Sequence, residues 1–524
     1  MKFINQYKKY VPVLFFLTGT ISCTKIIELD PITSVVESNF YRTETDCLQG
    51  LTAAYNVLLW DAPQNQNAPF HLISEVLADH CFTGGASVTD LQASIGNIDR
   101  ATMTPNDKAA SAMWYKYYFG IYRCNLLLEK LPGATYTTPG AQQRFTAEAK
   151  FLRAYYYFDL VRLYGNVPLI LKPLGPTEYN QKQSAPADVY KQIAQDLTDA
   201  IGVLPRYNQM VPSELGRVTS DAARALLMRV WLYYTGYYQQ NELPGVSASA
   251  IIQIGDELIK NSGHDLLAKF SDCFVLTAPY NNNNKESVFE LQYSSLAYSG
   301  DYSNRINANG NLATMLWSMR SPNSGSPYAP GWSFATVDSA FVSQFDNTDA
   351  RKAVTFLIPK NIGVSYTLGY QDMGVFPQKW VALKANNSAK GDPVLNYPNH
   401  FSVIRFSDVL LMASELHLLH GGSAATAQQY FERVARRSRP SSYVPPVVTL
   451  DVLYNERDLE LALEGVRYWD LMRRGMDYAA KRININRGEP IISRFNTAAK
   501  GLFPIPATEI LLTNNSLVQN PGYN

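Results

Sequence analysis

Ala147–Leu171 reads AEAKFLRAYYYFDLVRLYGNVPLIL, and the class of the whole chain turns on it. Ala147, Phe151, Ala154, Phe158 and Val161 fall at i, i+4, i+7, i+11 and i+14, a spacing that lines one helix face over about four turns. Leu152, Tyr155 and Tyr156 add a second row, so the predicted helix is buried on most sides. Gly165 and Asn166 suit a left-handed cap, and Pro168 keeps the helix from resuming. The stretch predicts the central rod of an all-α core.

Outward from it, Glu44–Trp60, Asp107–Leu131, Pro186–Leu204, Thr219–Tyr238 and Ser247–Ser262 read as further helices. Ser402–His420 and Ala424–Arg437, joined by Gly421-Gly422, read as a late helical hairpin. Paired helices of roughly tetratricopeptide size recur without a clean 34-residue consensus. They predict a degenerate helical-repeat scaffold with long irregular insertions. Asp61–Thr104 is rich in Pro and Gly. Leu276–Val337 is poor in charge and rich in Asn, Ser, Gly, Tyr and Trp, and Phe356–Asn399 is similarly irregular. Long loops of this kind are more often functional than filler.

The 524 residues are ample for a large core. With 17 % charged residues and a net charge of +1, the chain lacks the basic clusters that nucleic-acid binding requires. Its 34 tyrosines suit both a helical core and a wet binding surface. Lys2, Lys8 and Lys9 precede the short apolar run Val11–Ile21, which is too short to span a bilayer. Residues 1–22 therefore read as a signal peptide. Thr20-Ile21-Ser22-Cys23 resembles a bacterial lipobox, with Thr20 in place of the usual Leu; the competing reading is an ordinary cleavage site. Lipidation of Cys23 would bury many methylenes at about 0.8 kcal/mol each, a permanent anchor. Cys47, Cys81, Cys124 and Cys273 are too sparse and scattered for a disulfide scaffold and read mostly as buried thiols.

Several segments resemble the SusD/RagB family. Glu148, Phe151, Leu152, Arg153, Ala154, Tyr157, Leu160, Tyr164, Gly165, Val167 and Pro168 stand where that family has EA-x-FLRA-x-x-Y…L…YG-x-VPL. In Asn455–Gly475, Glu456, Arg457, Glu460, Leu461, Glu464, Gly465, Arg467, Asp470, Leu471 and Arg473 match a second signature. Phe503-Pro504-Ile505-Pro506, Glu509 and Gln519–Tyr523 match the family's closing motif, and Leu29-Asp30-Pro31, Asp349-x-Arg351 and Arg405–Leu411 are shorter matches. The resemblance implies one SusD-like domain over 23–524. Its N-terminal part would cover about 24–240, a loop-rich ligand-binding insertion about 276–337, and a C-terminal RagB/SusD part about 338–524. It also implies a lipid-anchored outer-membrane protein that binds a glycan or another nutrient and acts as a hinged lid on a TonB-dependent transporter.

Within Asn455–Gly475, the residues themselves predict a helix with Leu459, Ala462, Leu463, Val466 and Trp469 on its buried face. Glu460, Glu464 and Arg467 would share one flank, and Asp470 would need a partner such as Arg473 or Arg474. Glu460 and Glu464 could be taken as a glycosidase pair, but such carboxylates must flank a sugar from opposite sides. Glu460, Glu464, Arg467, Asp470 and Arg473 are read as a structural ion network. His417 and His420, at i and i+3, lack a third metal ligand. There is no G-x-S-x-G elbow, phosphate-binding loop or H-E-x-x-H motif, so no catalytic residue, metal or cofactor is assigned.

Sugar sites combine aromatic rings with hydrogen-bonding rims. Tyr302, Trp317, Tyr328 and Trp332 supply candidates, with Asp79 nearby and the loop around Asp79, His80 and Phe82 as a second wall. The alternative is that Trp317 and Trp332 plug the insertion onto the helices. The expected function is a non-catalytic surface binder delivering oligo- or polysaccharide to its transporter. The alternatives are capture of peptides or another nutrient by the same lid-and-transporter arrangement, or a glycan-active enzyme.

Overall fold

The computed structural model describes residues 40–90, 93–277, 280, 282–295, 310–387, 396–484 and 494–523. Cys23, Tyr302 and the N-terminal signal lie outside them. Among the described residues the fold is mainly helical. The first half carries α1 (Glu44–Asn56), α2 (Phe70–Val76), α3 (Ala93–Asp99), α4 (Lys108–Lys130), α5 (Ala141–Tyr164), α6 (Pro186–Val203), α7 (Ser220–Tyr238) and α8 (Ala248–Asn261). The second half carries α9 (Ala313–Trp317), α10 (Ser339–Val342), α11 (Arg351–Thr355), α12 (Phe406–Leu419), α13 (Ala424–Arg437), α14 (Leu450–Glu460), α15 (Arg467–Arg473), α16 (Met476–Ile483) and α17 (Ala507–Leu512). Consecutive long helices pack on one another, α4 on α5, α5 on α6, α6 on α7 and α12 on α13.

Local chemistry explains the ends. Thr43 and Asp46 form a reciprocal capping box on α1, and the Thr219 hydroxyl accepts from the Ala222 N–H at 3.1 Å to start α7. Along α5, everything from Phe151 to Tyr164 is buried. Burial of each such large apolar side chain contributes about 1.5–3 kcal/mol. The polar tips on this rod find partners. Tyr156 donates to the Ala54 carbonyl at 2.6 Å, Tyr157 to the Ile170 carbonyl at 2.7 Å, and Arg153 clamps Asp196 through two bonds of 2.8 Å.

Among the described residues, three short antiparallel strand pairs interrupt the helices. They join β1 (Cys81–Thr83) to β3 (Ala335–Val337), β2 (Ser287–Leu291) to β6 (Phe401–Arg405), and β4 (Phe356–Leu357) to β5 (Phe376–Pro377). Two expectations are corrected here. Ser402–His420 is not one helix: its first residues belong to β6, and α12 begins at Phe406. The Asn455–Gly475 helix is broken between Glu460 and Arg467, where Leu463 and Gly465 take φ of 62° and 76°. A Cβ on Gly465 would stand 2.8 Å from the Cα of His71, so the close approach of α2 selects both the break and the glycine.

Candidate functional site

The residues of the broken segment meet partners from across the chain. Glu460 pairs with Arg351 (3.1 Å), Arg405 (2.9 Å) and Arg437. Glu464 pairs with Lys379 (2.7 Å) and Arg405 (2.8 Å), and Arg405 reaches on to Glu286 at 2.8 Å. Asp470 is held by Arg457 (2.9 Å) and Arg473 (2.8 Å), and Arg473 also grips Glu415. Arg467 does not join Glu460 or Glu464; it binds Asp79 at 2.8 Å and Asp458 at 3.2 Å. Burial alone would raise the carboxyls of Glu460 and Asp470, but the surrounding arginines hold both well below the usual range. Fixed, ionised carboxylates inside a charge lattice have neither the room nor the poised proton that glycoside hydrolysis needs.

Three ligand candidates are interior. Asp79 is 1 % exposed and is pinned by Arg467 and Arg482. Its carboxyl, which burial would raise, is held far down by His80 and these arginines. Trp317 is 0 % exposed at the end of α9, 6.5 Å from the His71 ring. Tyr328, 8 % exposed, belongs to a small cluster with Met319, Leu357, Phe376 and Val381. None of the three presents a free face for a sugar, which corrects their assignment. His80 stacks on Phe341 at 3.5 Å and Phe82 is buried beneath Arg494, so the expected second wall also points inward. His417 is committed to Asp256 (3.0 Å) and to the Ser423 N–H (2.9 Å). Cys47, Cys81 and Cys124 are buried free thiols and Cys273 is a partly buried one.

Trp332 is different: it is half-buried, with one side packed edge-on to Phe334 at 5.6 Å. The pairing of β1 with β3 sets Phe82 opposite Thr336 and brings the Gly84–Asp90 loop alongside Trp332. Contact there is so close that a Cβ on Gly84 would stand 1.9 Å from the Ser333 carbonyl. Gly85 donates to that carbonyl at 2.8 Å and accepts from the Tyr370 N–H at 2.8 Å. Arg320 donates to the Trp332 carbonyl at 3.0 Å and pairs with Asp90 at 3.3 Å, and its own carbonyl receives the Thr367 N–H at 2.9 Å.

Three segments distant in sequence thus converge on one face: a half-buried indole, the Arg320–Asp90 pair, half-buried Tyr370 and the exposed Ser87, Thr89, Ser321 and Thr367. Ser321 and Gln371 on this face, and Ser333 buried beneath it, have φ of 42°, 51° and 50°. Left-handed backbone at non-glycine residues is costly and collects where a surface must be pre-shaped. Chemically the face can stack a ring on Trp332 and exchange hydrogen bonds around it; it offers no paired acid and base. Asp90, Arg320 and Tyr370 were missed in the sequence, although Gly84-Gly85 and Gly369 marked where the backbones meet.

Among the described residues no helix is long and apolar enough to cross a membrane. The family profile described as "Starch-binding associating with outer membrane" matches residues 37–232, and the "SusD family" profile matches residues 357–523. A SusD-like protein of Formosa agariphila is 25 % identical over 515 residues, covering 90 % of each chain. Among solved structures, a "Laminarin binding SusD-like protein" is 33 % identical with a TM-score of 0.79, covering 92 % of this chain and 100 % of that one. Surface glycan-binding protein A from Bacteroides thetaiotaomicron, in complex with laminarihexaose, is 27 % identical with a TM-score of 0.81, covering 91 % and 99 %.

Proposed function

The chain belongs to the SusD/RagB family, and from that premise we propose that it is a non-catalytic, surface-anchored glycan-binding protein serving a TonB-dependent outer-membrane transporter. The observation that carries the reading is the face built around Trp332. A half-buried indole offers ring surface of the kind that packs on the weakly apolar C–H face of a pyranose. Arg320 and Asp90, paired beside it, bring donors and acceptors for sugar hydroxyls. The pre-shaped backbone lowers the entropy lost on binding. Two similar proteins, one described as laminarin-binding and one seen with laminarihexaose, make glucans the first ligands to try.

Binding here captures the ligand and holds it. The anchor would be Cys23, and passage across the membrane would fall to the transporter. Calorimetry with laminarihexaose, maltohexaose and a mixed peptide digest tests this reading. Trp332→Ala should weaken glycan binding by about 1–3 kcal/mol, the range for losing a central aromatic anchor. Its melting temperature should stay within a few degrees of wild type. Saturable binding of peptides alone, or hydrolysis of either glycan, would replace the reading.

A further inference from the structure

A second hollow lies away from the Trp332 face and shares no residue with it. It opens between the end of α1, with the turn that follows, and the far end of β2, and has a volume of about 210 Å³. That is more than ten times the roughly 10–15 Å³ that one water needs, so single waters do not account for it. Leu59, Phe289 and Leu291 form apolar walls, and Glu290 and Gln292 bring polar groups to the same space. The pairing of β2 with β6 shifts register between Phe289 and Glu290. An irregularity of this kind re-aims a side chain that a regular strand would turn elsewhere.

Glu290 is left half satisfied. Its Oε2 accepts from the Ser287 hydroxyl at 2.8 Å, while Oε1 is buried without a hydrogen bond. A buried acceptor without a partner costs free energy that an incoming donor recovers. Burial also pushes the Glu290 carboxyl up, against the Ser287 hydroxyl, the Asn283 backbone and the Gln292 amide, which favours a neutral occupant over an ion.

We propose that this hollow is a second binding site, taking one pyranose unit of a glycan. A sugar hydroxyl donates to Glu290 Oε1, Gln292 completes the polar floor, and the C–H face of the ring lies on Leu59 and Leu291. The inference rests on the glycan-binding reading and extends it from one contact surface to two, so that a long chain could be held at separated points. Two weak contacts joined by one ligand gain avidity without either being tight.

Methyl-labelled protein titrated with glucose, and separately with laminarihexaose, tests the proposal. The Leu59 and Leu291 methyl signals should shift along one saturable curve that is unchanged in Trp332→Ala. The affinity read from that curve should fall at least about tenfold in Glu290→Leu, where the acceptor is gone. Thr52→Trp, at the exposed mouth, should block entry without touching the strand, and it decides the matter if Glu290→Leu does not fold. Unmoved Leu59 and Leu291 methyls, with the Trp332-dependent heat of binding intact, overturn the second site and leave the first standing. Absence of both signals in the wild type removes the two together.

Discussion

Arg467 closes on Asp79 across 388 residues of sequence, with Nε to Oδ1 and Nη2 to Oδ2 both at 2.8 Å. This bidentate pair ties the end of α2 to the start of α15, and both side chains are buried. Arg467→Met leaves Asp79 with only His80 and Arg482 nearby. The expected cost is about 3–5 kcal/mol, the range for stranding a buried charge. It should appear as a lower denaturant midpoint, and Arg467→Met with Asp79→Asn should recover much of the loss. A single variant as stable as wild type would show that Arg482 alone suffices.

Glu75 makes stability depend on pH. Burial pushes its carboxyl from the ordinary 4.5 up to about 8, although the Gly465 N–H donates to Oε1 at 2.6 Å. Between these values the native state keeps a proton that the unfolded chain has released. Stability is therefore complete below about 4.5 and falls as pH rises through about 8, by up to about 1.4 kcal/mol per unit. Glu75→Gln keeps the neutral shape and removes the dependence. Melting curves at pH 5 and pH 8 should lie closer together in the variant than in wild type.

Trp317 and Trp332 should respond oppositely to truncation. Trp317→Ala empties a fully buried site and should cost about 3–5 kcal/mol, with glycan affinity preserved in whatever remains folded. Trp332→Ala should lose affinity and keep stability. Parallel calorimetry and thermal melts separate the two; the reverse pattern would move the ligand site to α9.

Cys23→Ala should free the protein from the membrane fraction without changing its fold. Labelling with a palmitate analogue checks it directly: label absent from wild type would refute the anchor.

Where helices bury a broad stripe, the sequence was easy to read: Ala147, Phe151, Ala154, Phe158 and Val161 repeat with the helical period over about four turns of α5. The errors fall where distant chain intrudes. Ser402–Arg405 looked like the opening of α12 because its strand partner lies more than a hundred residues earlier, at Ser287–Leu291. The Glu460–Arg467 break follows from His71 pressing on Gly465, a contact with no local trace. The aromatic insertion promised rings without saying which would face water. Trp317 and Trp332 sit in similar sequence surroundings, yet one ends a short interior helix and the other edges a surface loop.

The fastening of early residues by late ones also sets an order of events. Ser74, Glu75 and Asp79 receive Trp469, Gly465 and Arg467, and the Tyr164 carbonyl waits for Asn520. At about 5–20 residues per second, Asp79 leaves the ribosome roughly 20–80 s before Arg467. For that interval Asp79 lacks its bidentate partner, and α2 can pack only on early neighbours such as α3 and β1. The docking of α2 onto α15 is thus a late step, one that waits until nearly all of the chain is made.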